Sequence, residues 1–471
     1  MSHKGGRGVL TRGVKDAVLS LVKHSAERQG RSIRPQKTAR PVETQAASFQ
    51  ELAAYQQLKK QRAAADLLGV ANPFFRSHDG RAGATTHIGT HSAINFASYD
   101  YLGLNQHPAV GAAAMAAIDR YGTSASASRL VAGERPIHRE LERALASLYG
   151  AEDAVVFVSG HATNVATIGE LMSPKDLILH DALIHNSALV GAQLSGAVRR
   201  SFAHNDLDAL ERLLASSRNQ HDNVLIVVEG LYSMDGDVPD LPRLIDIKNR
   251  YGAWLMVDEA HALGTLGATG RGSWEHCGVD PRAVDIWMGT LSKTLAACGG
   301  FIAGSAALTE ILKFYASGFV YSVGLSPALA GAALAALELM QAEPDRVARL
   351  QANARLFRET AQSRGLDTGF GQGHAVAPVM IGDSLKAAKL SERLLQRGLN
   401  ALPIIYPAVP MQSARLRFFI SAEHSEAQIA SAVEITKDEL DALDREGFSL
   451  ANKAAALMLR RGEALSASDG E

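Results

Sequence analysis

The feature that most constrains this chain is a rhythm. Short, uninterrupted apolar runs recur along it: DAVVFVSG (153–160), DLILHD (176–181), NVLIVVEG (223–230), AWLMVDEAH (253–261), DIWMGT (285–290) and GGFIAG (299–304). Longer stretches of helical periodicity separate them. A strand that is apolar at nearly every position is buried on both faces. Such strands alternating with helices predict an α/β fold built on a large, mostly parallel sheet covered on both sides. Ligands of these sheets bind at the carboxyl ends of the strands. Here those ends carry Ser159, Glu229, Asp258, His261 and Thr290.

With 471 residues the chain is long enough for two or three domains. We expect a basic arm over 1–47, a helical segment over 48–93, a large domain over 94–335, a smaller C-terminal α+β domain over 336–445 and a tail over 446–471. The small domain is marked by VAPVMIGD (376–383) and ARLRFFIS (414–421). SFQELAAYQQLKKQRAAADLLG (48–69) reads as a helix opened by a Ser48/Glu51 capping box. The first 40 residues hold ten Lys or Arg against Asp16 and Glu27. That arm suits either a solvated tail or docking to an acidic partner or an anionic, inner-membrane-type surface.

Over the whole chain 48 basic residues balance 49 acidic ones, so nothing in the net charge argues for nucleic acid. Two cysteines, Cys277 and Cys298, make no disulfide framework, and no secretory leader pattern opens the chain. The expectation is a cytoplasmic enzyme, with peripheral membrane contact as an option.

Lys293 stands in IWMGTLSKTLAACGG (286–300), directly after a buried-strand pattern. An unpaired buried ammonium is costly, so a lysine there tends to lose its proton and react. A lysine of that kind forms Schiff bases. Asp258 ends a different apolar strand, in LMVDEAHALG. It reads either as a helix cap or as the partner of a protonated ring nitrogen. A Schiff-base lysine together with an aspartate for a pyridinium nitrogen is what pyridoxal 5′-phosphate (PLP) requires. Thr290 and Ser292 supply hydroxyls beside Lys293. SGHATN (159–164) offers small residues entering a helix, whose N-terminal N–H groups suit a phosphate. No metal is called for.

The motifs SYDYLGL (98–104), SRLVAG (128–133), SGHATN, HDALIHNS (180–187), EGLYSMDGD (229–237), VDEAHALGTLGATGRG (257–272), GTLSK (289–293), YSVGLSP (321–327) and ARLRFF (414–419) run in this order. On them the chain resembles the α-oxoamine synthases, fold-type I PLP-dependent transferases with a seven-stranded sheet. The resemblance implies that Lys293 carries the cofactor and acts as base, Asp258 faces the pyridine nitrogen, His261 the phenolic oxygen, and His185 the ring. It places Ser233 beside the ring, with Gly160, His161, Thr290 and Ser292 around the phosphate. It implies a homodimer in which Ser322 completes the partner's phosphate site. Arg417 is expected to clamp the amino-acid carboxylate, with Arg415 two residues away as its alternative, and Tyr99 to touch substrate.

The reaction implied is decarboxylative condensation of a small amino acid with an acyl thioester, on CoA or an acyl carrier protein. Tyr99 before DYLGL resembles the serine palmitoyltransferase branch, Ser124 and Ala127 in GTSASASR (122–129) depart from the family's glycines and argue against an unbranched small-acyl pocket, and Ala408, where the 8-amino-7-oxononanoate synthases tend to have Thr, argues against a pimeloyl substrate. The expectation is therefore serine, then alanine or glycine, with a fatty acyl donor. An 8-amino-7-oxononanoate synthase or glycine C-acetyltransferase activity is the alternative. An aminotransferase or a silent binding subunit is the more remote one.

Overall fold

The structure, a computed structural model, describes residues 48–449 except Met411, together with Asn452. The basic arm and most of the tail lie outside the described residues. The chain divides into two compact units, 1–62 and 63–471. In the first, Ser48 caps only a short 3-10 turn, Phe49–Glu51, by accepting from the Gln50 N–H at 3.2 Å. Glu51 takes no part in a capping box. Leu52 has an extended ψ of 133°, and the α-helix begins after it, at Ala53–Leu67, with no buried residue.

The segment expected to be helical up to residue 93 turns to strand instead. Strands β1 (His78–Asp79), β2 (Thr85–Ile88) and β3 (His91–Asn95) form an antiparallel ladder. The seven-stranded sheet contains β4 (Asp153–Phe157), β5 (Leu177–Asp181), β6 (Val198–Phe202), β7 (Val224–Glu229), β8 (Trp254–Asp258), β9 (Ile286–Thr290) and β10 (Gly300–Gly304). Its order is β4-β10-β9-β8-β7-β5-β6, parallel throughout except that β10 runs antiparallel to both neighbours. Six of these strands are the apolar runs read from the sequence. The seventh, β6, is VRRSF, exposed at four of its five positions. As an edge strand it keeps Arg199 and Arg200 in solvent, which hinders pairing with another chain.

The two-sided burial shows directly in the strand period. Val224, Ile226 and Val228 of β7 join one hydrophobic cluster, and Leu225 and Val227 join another. The same split divides β4, β5, β8 and β9. Each fully buried aliphatic side chain contributes about 1.5–3 kcal/mol.

Toward the C-terminus, β11 (Val376–Gly382), β13 (Leu402–Ile404) and β14 (Ala414–Phe419) make a three-stranded antiparallel sheet in the order β11-β14-β13. The short β12 (Leu399–Asn400) instead pairs parallel with β3, Leu399 opposite Ile94. The helix Pro327–Ala342 runs unbroken through residue 335.

One polar cluster braces the loops above the sheet. His204 Nδ1 lies 2.9 Å from Asp181 Oδ1, and its Nε2 lies 2.9 Å from Asp237 Oδ2. Both partners only accept, so the ring holds two protons. Burial opposes that charge, but the two carboxylates outweigh it and push the pKa from 6.5 up to about 10. A raised pKa contributes stability that is full below 6.5 and lost as pH climbs toward 10. His204→Gln is therefore expected to flatten the decline of unfolding free energy between pH 6.5 and 10. Urea titrations at intervals across that range would check it, and an unchanged slope would rule the cluster out.

Candidate active site

The carboxyl ends of β4, β7, β8 and β9 open into a cavity of about 180 Å³. Its wall contains Gly160, His161, His185, Ser233, Asp258, His261, Thr290, Ser292 and Lys293, residues that the sequence reading singled out. Asn164, Ser187 and Glu229 line it too.

Lys293 sits in the connection between β9 and β10. Burial holds its amine down to about 8, against the pull of the Asp258 and Glu229 charges. Asp258 ends β8 and is 4 % exposed. Its Oδ1 accepts the Ala260 N–H at 3.0 Å and its Oδ2 accepts from Asn164 Nδ2 at 2.8 Å. No helix follows it, so the capping alternative reduces to one backbone contact.

Asn164 is the hub of a relay that the sequence did not disclose. Its amide also donates to Ser187 Oγ at 2.9 Å. Ser187 Oγ lies 2.7 Å from His185 Nδ1, which also accepts the Ser187 N–H at 3.3 Å. His185 Nδ1 is thus an acceptor, leaving the N–H on Nε2. Burial lowers the pKa of this ring and keeps it neutral. His261 is set the same way. The Tyr101 hydroxyl meets its Nδ1 at 2.6 Å, and burial holds the Tyr101 proton on by raising its pKa well above the usual value. With the Tyr101 hydroxyl as the donor to Nδ1, His261, held neutral by burial and then by Lys293, carries its proton on Nε2.

Ser159 caps the helix Gly160–Leu171 by accepting from the Ala162 N–H. A Cβ on Gly160 would stand 2.9 Å from Thr290 Oγ1. The glycine lets that hydroxyl come against the helix N-terminus, where backbone N–H groups converge. Thr290 Oγ1 donates to the Gly299 carbonyl at 3.0 Å and accepts the Ser292 N–H at 3.2 Å.

Glu229 was read only as a strand-end residue. It pairs in register with Asp258 and is 3 % exposed. Oε2 accepts the Ser233 N–H at 2.9 Å, while Oε1 is buried without a partner among the described residues. Burial, then the neighbouring Asp258 charge, pushes its pKa up to about 8.

The two arginines share a strand face but not a fate. Arg415 is 6 % exposed and forms an ion pair with the buried Asp235. Arg417 donates to the Ser233 carbonyl at 2.7 Å and lies over the Phe419 ring. Its Nε is buried and unpartnered, and no carboxylate pairs with it among the described residues. Tyr99 is 40 % exposed, its ring 5.5 Å from Lys293 Nζ. Ser322 lies outside the cavity of its own chain, and the cap of the following helix is Ser326.

The donor set fits PLP. A buried amine and a buried carboxylate share one cavity with two Nε2–H imidazoles and a hydroxyl-lined helix N-terminus. The fold is that of a fold-type I PLP-dependent transferase, and this cavity has the groups to hold its cofactor.

Residues 91–435 match the aminotransferase class I and II family. An 8-amino-7-oxononanoate synthase from Pseudomonas putida is 44% identical over 336 residues, 71% of this chain and 85% of that protein. Among solved structures, serine palmitoyltransferase from Sphingomonas wittichii superposes with a TM-score of 0.80 at 30% identity, covering 84% of this chain and 99% of that one. The S. paucimobilis serine palmitoyltransferase solved with bound PLP–myriocin gives 0.81 at 28% identity, over 84% and 100%. The chain belongs to the aminotransferase class I and II family and, within it, to the α-oxoamine synthases, PLP-dependent acyltransferases. Among the described residues no helix is long and apolar enough to cross a membrane.

Proposed function

We propose that the chain condenses alanine with a seven-carbon, ω-carboxylated acyl thioester, releasing CO₂ and thiol to give 8-amino-7-oxononanoate. The observation that carries this reading is the 44% identity to the Pseudomonas putida synthase across 85% of its length. The substrates follow from that name by carbon count. The amine at C8 and the methyl at C9 are alanine without its carboxylate. C1–C7, a ketone ending a carboxylated chain, are the acyl group. This ranks the alternative drawn from the sequence above serine and a fatty acyl donor. The fatty reading keeps the support of the serine palmitoyltransferase likeness and of Tyr99 beside Lys293.

We assign the site residues as follows. Lys293 would hold PLP, with Asp258 toward the pyridine nitrogen, His261 Nε2–H toward the phenolic oxygen and His185 against the ring. Gly160, His161, Thr290 and Ser292 would surround the phosphate, and Ser322 of a second copy would complete it. Bound there, PLP withdraws electrons from the amino acid's α-carbon. Lys293 Nζ, its basicity lowered by burial, takes the α-proton and later returns one. Asn164 and the Ala260 N–H both donate to Asp258 and fix its carboxylate in place. Arg417 presents its guanidinium to the amino-acid carboxylate, a charge-assisted contact. Glu229 accepts the Ser233 N–H and so holds the loop whose Ser233 carbonyl accepts from Arg417.

The test is a matrix of assays on the PLP-loaded enzyme: alanine, serine and glycine, each with heptanedioyl-CoA and with palmitoyl-CoA, read by thiol release and product mass. Alanine with the carboxylated donor is expected to be the most efficient pair. Serine with palmitoyl-CoA in first place would replace this reading by the fatty one. Amino-group exchange without thiol release would make the chain an aminotransferase.

A further inference from the structure

A second cavity, of about 350 Å³, shares Ser292 and Lys293 with the first. It runs along β1–β3, touching His78 on β1, Thr86 on β2 and Asn95 on β3. Its volume is within the range of cavities that hold small ligands. We propose that this cavity receives the acyl chain of the donor, and that Arg81, in the β1–β2 connection, recognises an anionic group at the end of that chain. This rests on the condensation proposed above and adds to it the residue that selects the donor.

Three observations lead there. First, the acyl carbon must reach the amino-acid carbon held at Lys293, while the first cavity is lined by the groups that fit the cofactor. The second cavity also opens on Lys293. Second, its wall mixes a larger apolar share with several polar groups. Arg81, His78, Thr86 and Asn105 all border it. A plain alkyl chain packed there would strip water from these groups and return no hydrogen bonds. A terminal carboxylate would return them, best to a guanidinium.

Third, Arg81 has no other engagement. It is exposed and makes no hydrogen bond or ion pair among the described residues. The neighbouring guanidinium of Arg76 is already bound, donating to Asn400 Oδ1 at 3.0 Å and to Ser391. His78 is occupied by Thr86 Oγ1 at 2.9 Å, and burial and then Arg76 lower its pKa, so it adds no competing cation. The one carboxyl in the wall, Asp100, is 5 % exposed and accepts the Asn105 N–H at 3.2 Å. Its other oxygen, Oδ2, is buried without a partner among the described residues, and burial pushes the pKa of the carboxyl up to about 6.

The experiment measures kcat/KM of the PLP-loaded enzyme for heptanedioyl-CoA and for heptanoyl-CoA, which match in length and differ in the terminal carboxylate. Wild type, Arg81→Ala and Arg81→Lys are compared. Arg81→Ala is expected to lose about tenfold or more with the carboxylated donor, chiefly in KM, as befits a lost charge-assisted contact. It should stay within about twofold of wild type with heptanoyl-CoA, and Arg81→Lys should recover part of the loss.

A wild type that prefers the carboxylated donor, with a preference that survives Arg81→Ala, overturns the role of Arg81 and leaves the proposed function standing. A wild type with no such preference overturns the proposed function itself. Equal losses on both donors would show Arg81 to be structural and overturn the inference.

Discussion

Lys293→Ala is expected to lower turnover by about 10⁴-fold or more, while PLP still binds noncovalently. A positioned general base alone supplies roughly 10²–10⁴-fold, and in the role proposed for it this lysine would also anchor the cofactor covalently. The remaining contacts stay intact: Asp258 held by Asn164, the Nε2–H groups of His185 and His261, and the capped helix at Gly160. Release of CO₂ and thiol measures the first effect, and retention of PLP through gel filtration measures the second. Turnover above about one per cent of wild type would remove Lys293 from the chemistry. Loss of both turnover and PLP would mean that the other contacts do not suffice to bind the cofactor.

The second large effect is on stability. Arg129→Met is expected to cost about 3–5 kcal/mol, because it strands a carboxylate in the interior. Glu142 is 0 % exposed, and Arg129 Nη1 meets its Oε1 at 2.5 Å. The same oxygen accepts the Val156 N–H at 3.0 Å, tying the helix Pro136–Leu148 to β4. Arg129 Nε also meets Glu134 Oε2 at 2.6 Å. Arg139, at 2.7 Å from Glu142 Oε2, is a partly exposed second partner. A fall in the urea midpoint equivalent to less than about 1 kcal/mol would show that Arg139 and Lys313, the latter 3.9 Å from Glu142 Oε2, compensate the charge. Native domains are stable by only about 5–15 kcal/mol. The expected loss is thus a large share of the whole, and it falls on the strand that leads into the Ser159–Gly160 turn.

The sheet was legible because burial on both faces leaves a mark in consecutive residues. Asp258 and Lys293 were legible because each breaks such a run with a charge. What stayed hidden depends on partners far away in the chain. β6 carries two arginines, since an edge strand need not be apolar. β12 is two residues long and is a strand only because β3, some 300 positions earlier, offers it an edge. Asn164 has no signature of its own. It matters because Asp258 and Ser187 flank it in space. Tyr101 and His261 are 160 residues apart. Arg415 and Arg417 are equivalent by strand period, and the difference between them is Asp235, 180 residues upstream.

Within the seven-stranded sheet β10 is the one strand that turns back, and this affects the lysine. Residues 291–299 join β9 to β10, whose ends sit side by side with Thr290 opposite Gly300. Both feet of the Lys293 loop are therefore clamped into adjacent rungs of the same ladder. The lysine side chain adds four methylenes of reach beyond that closed loop. In the role proposed for it, the Lys293 amine would leave the cofactor and return to it at every cycle, and a short tether would keep it close. Its local concentration stays high, and little orientational freedom has to be surrendered on return. A loop anchored to two separate layers would let the amine wander. Here the backbone works as a hinge pin, and the reactive nitrogen is a short arm hung from it.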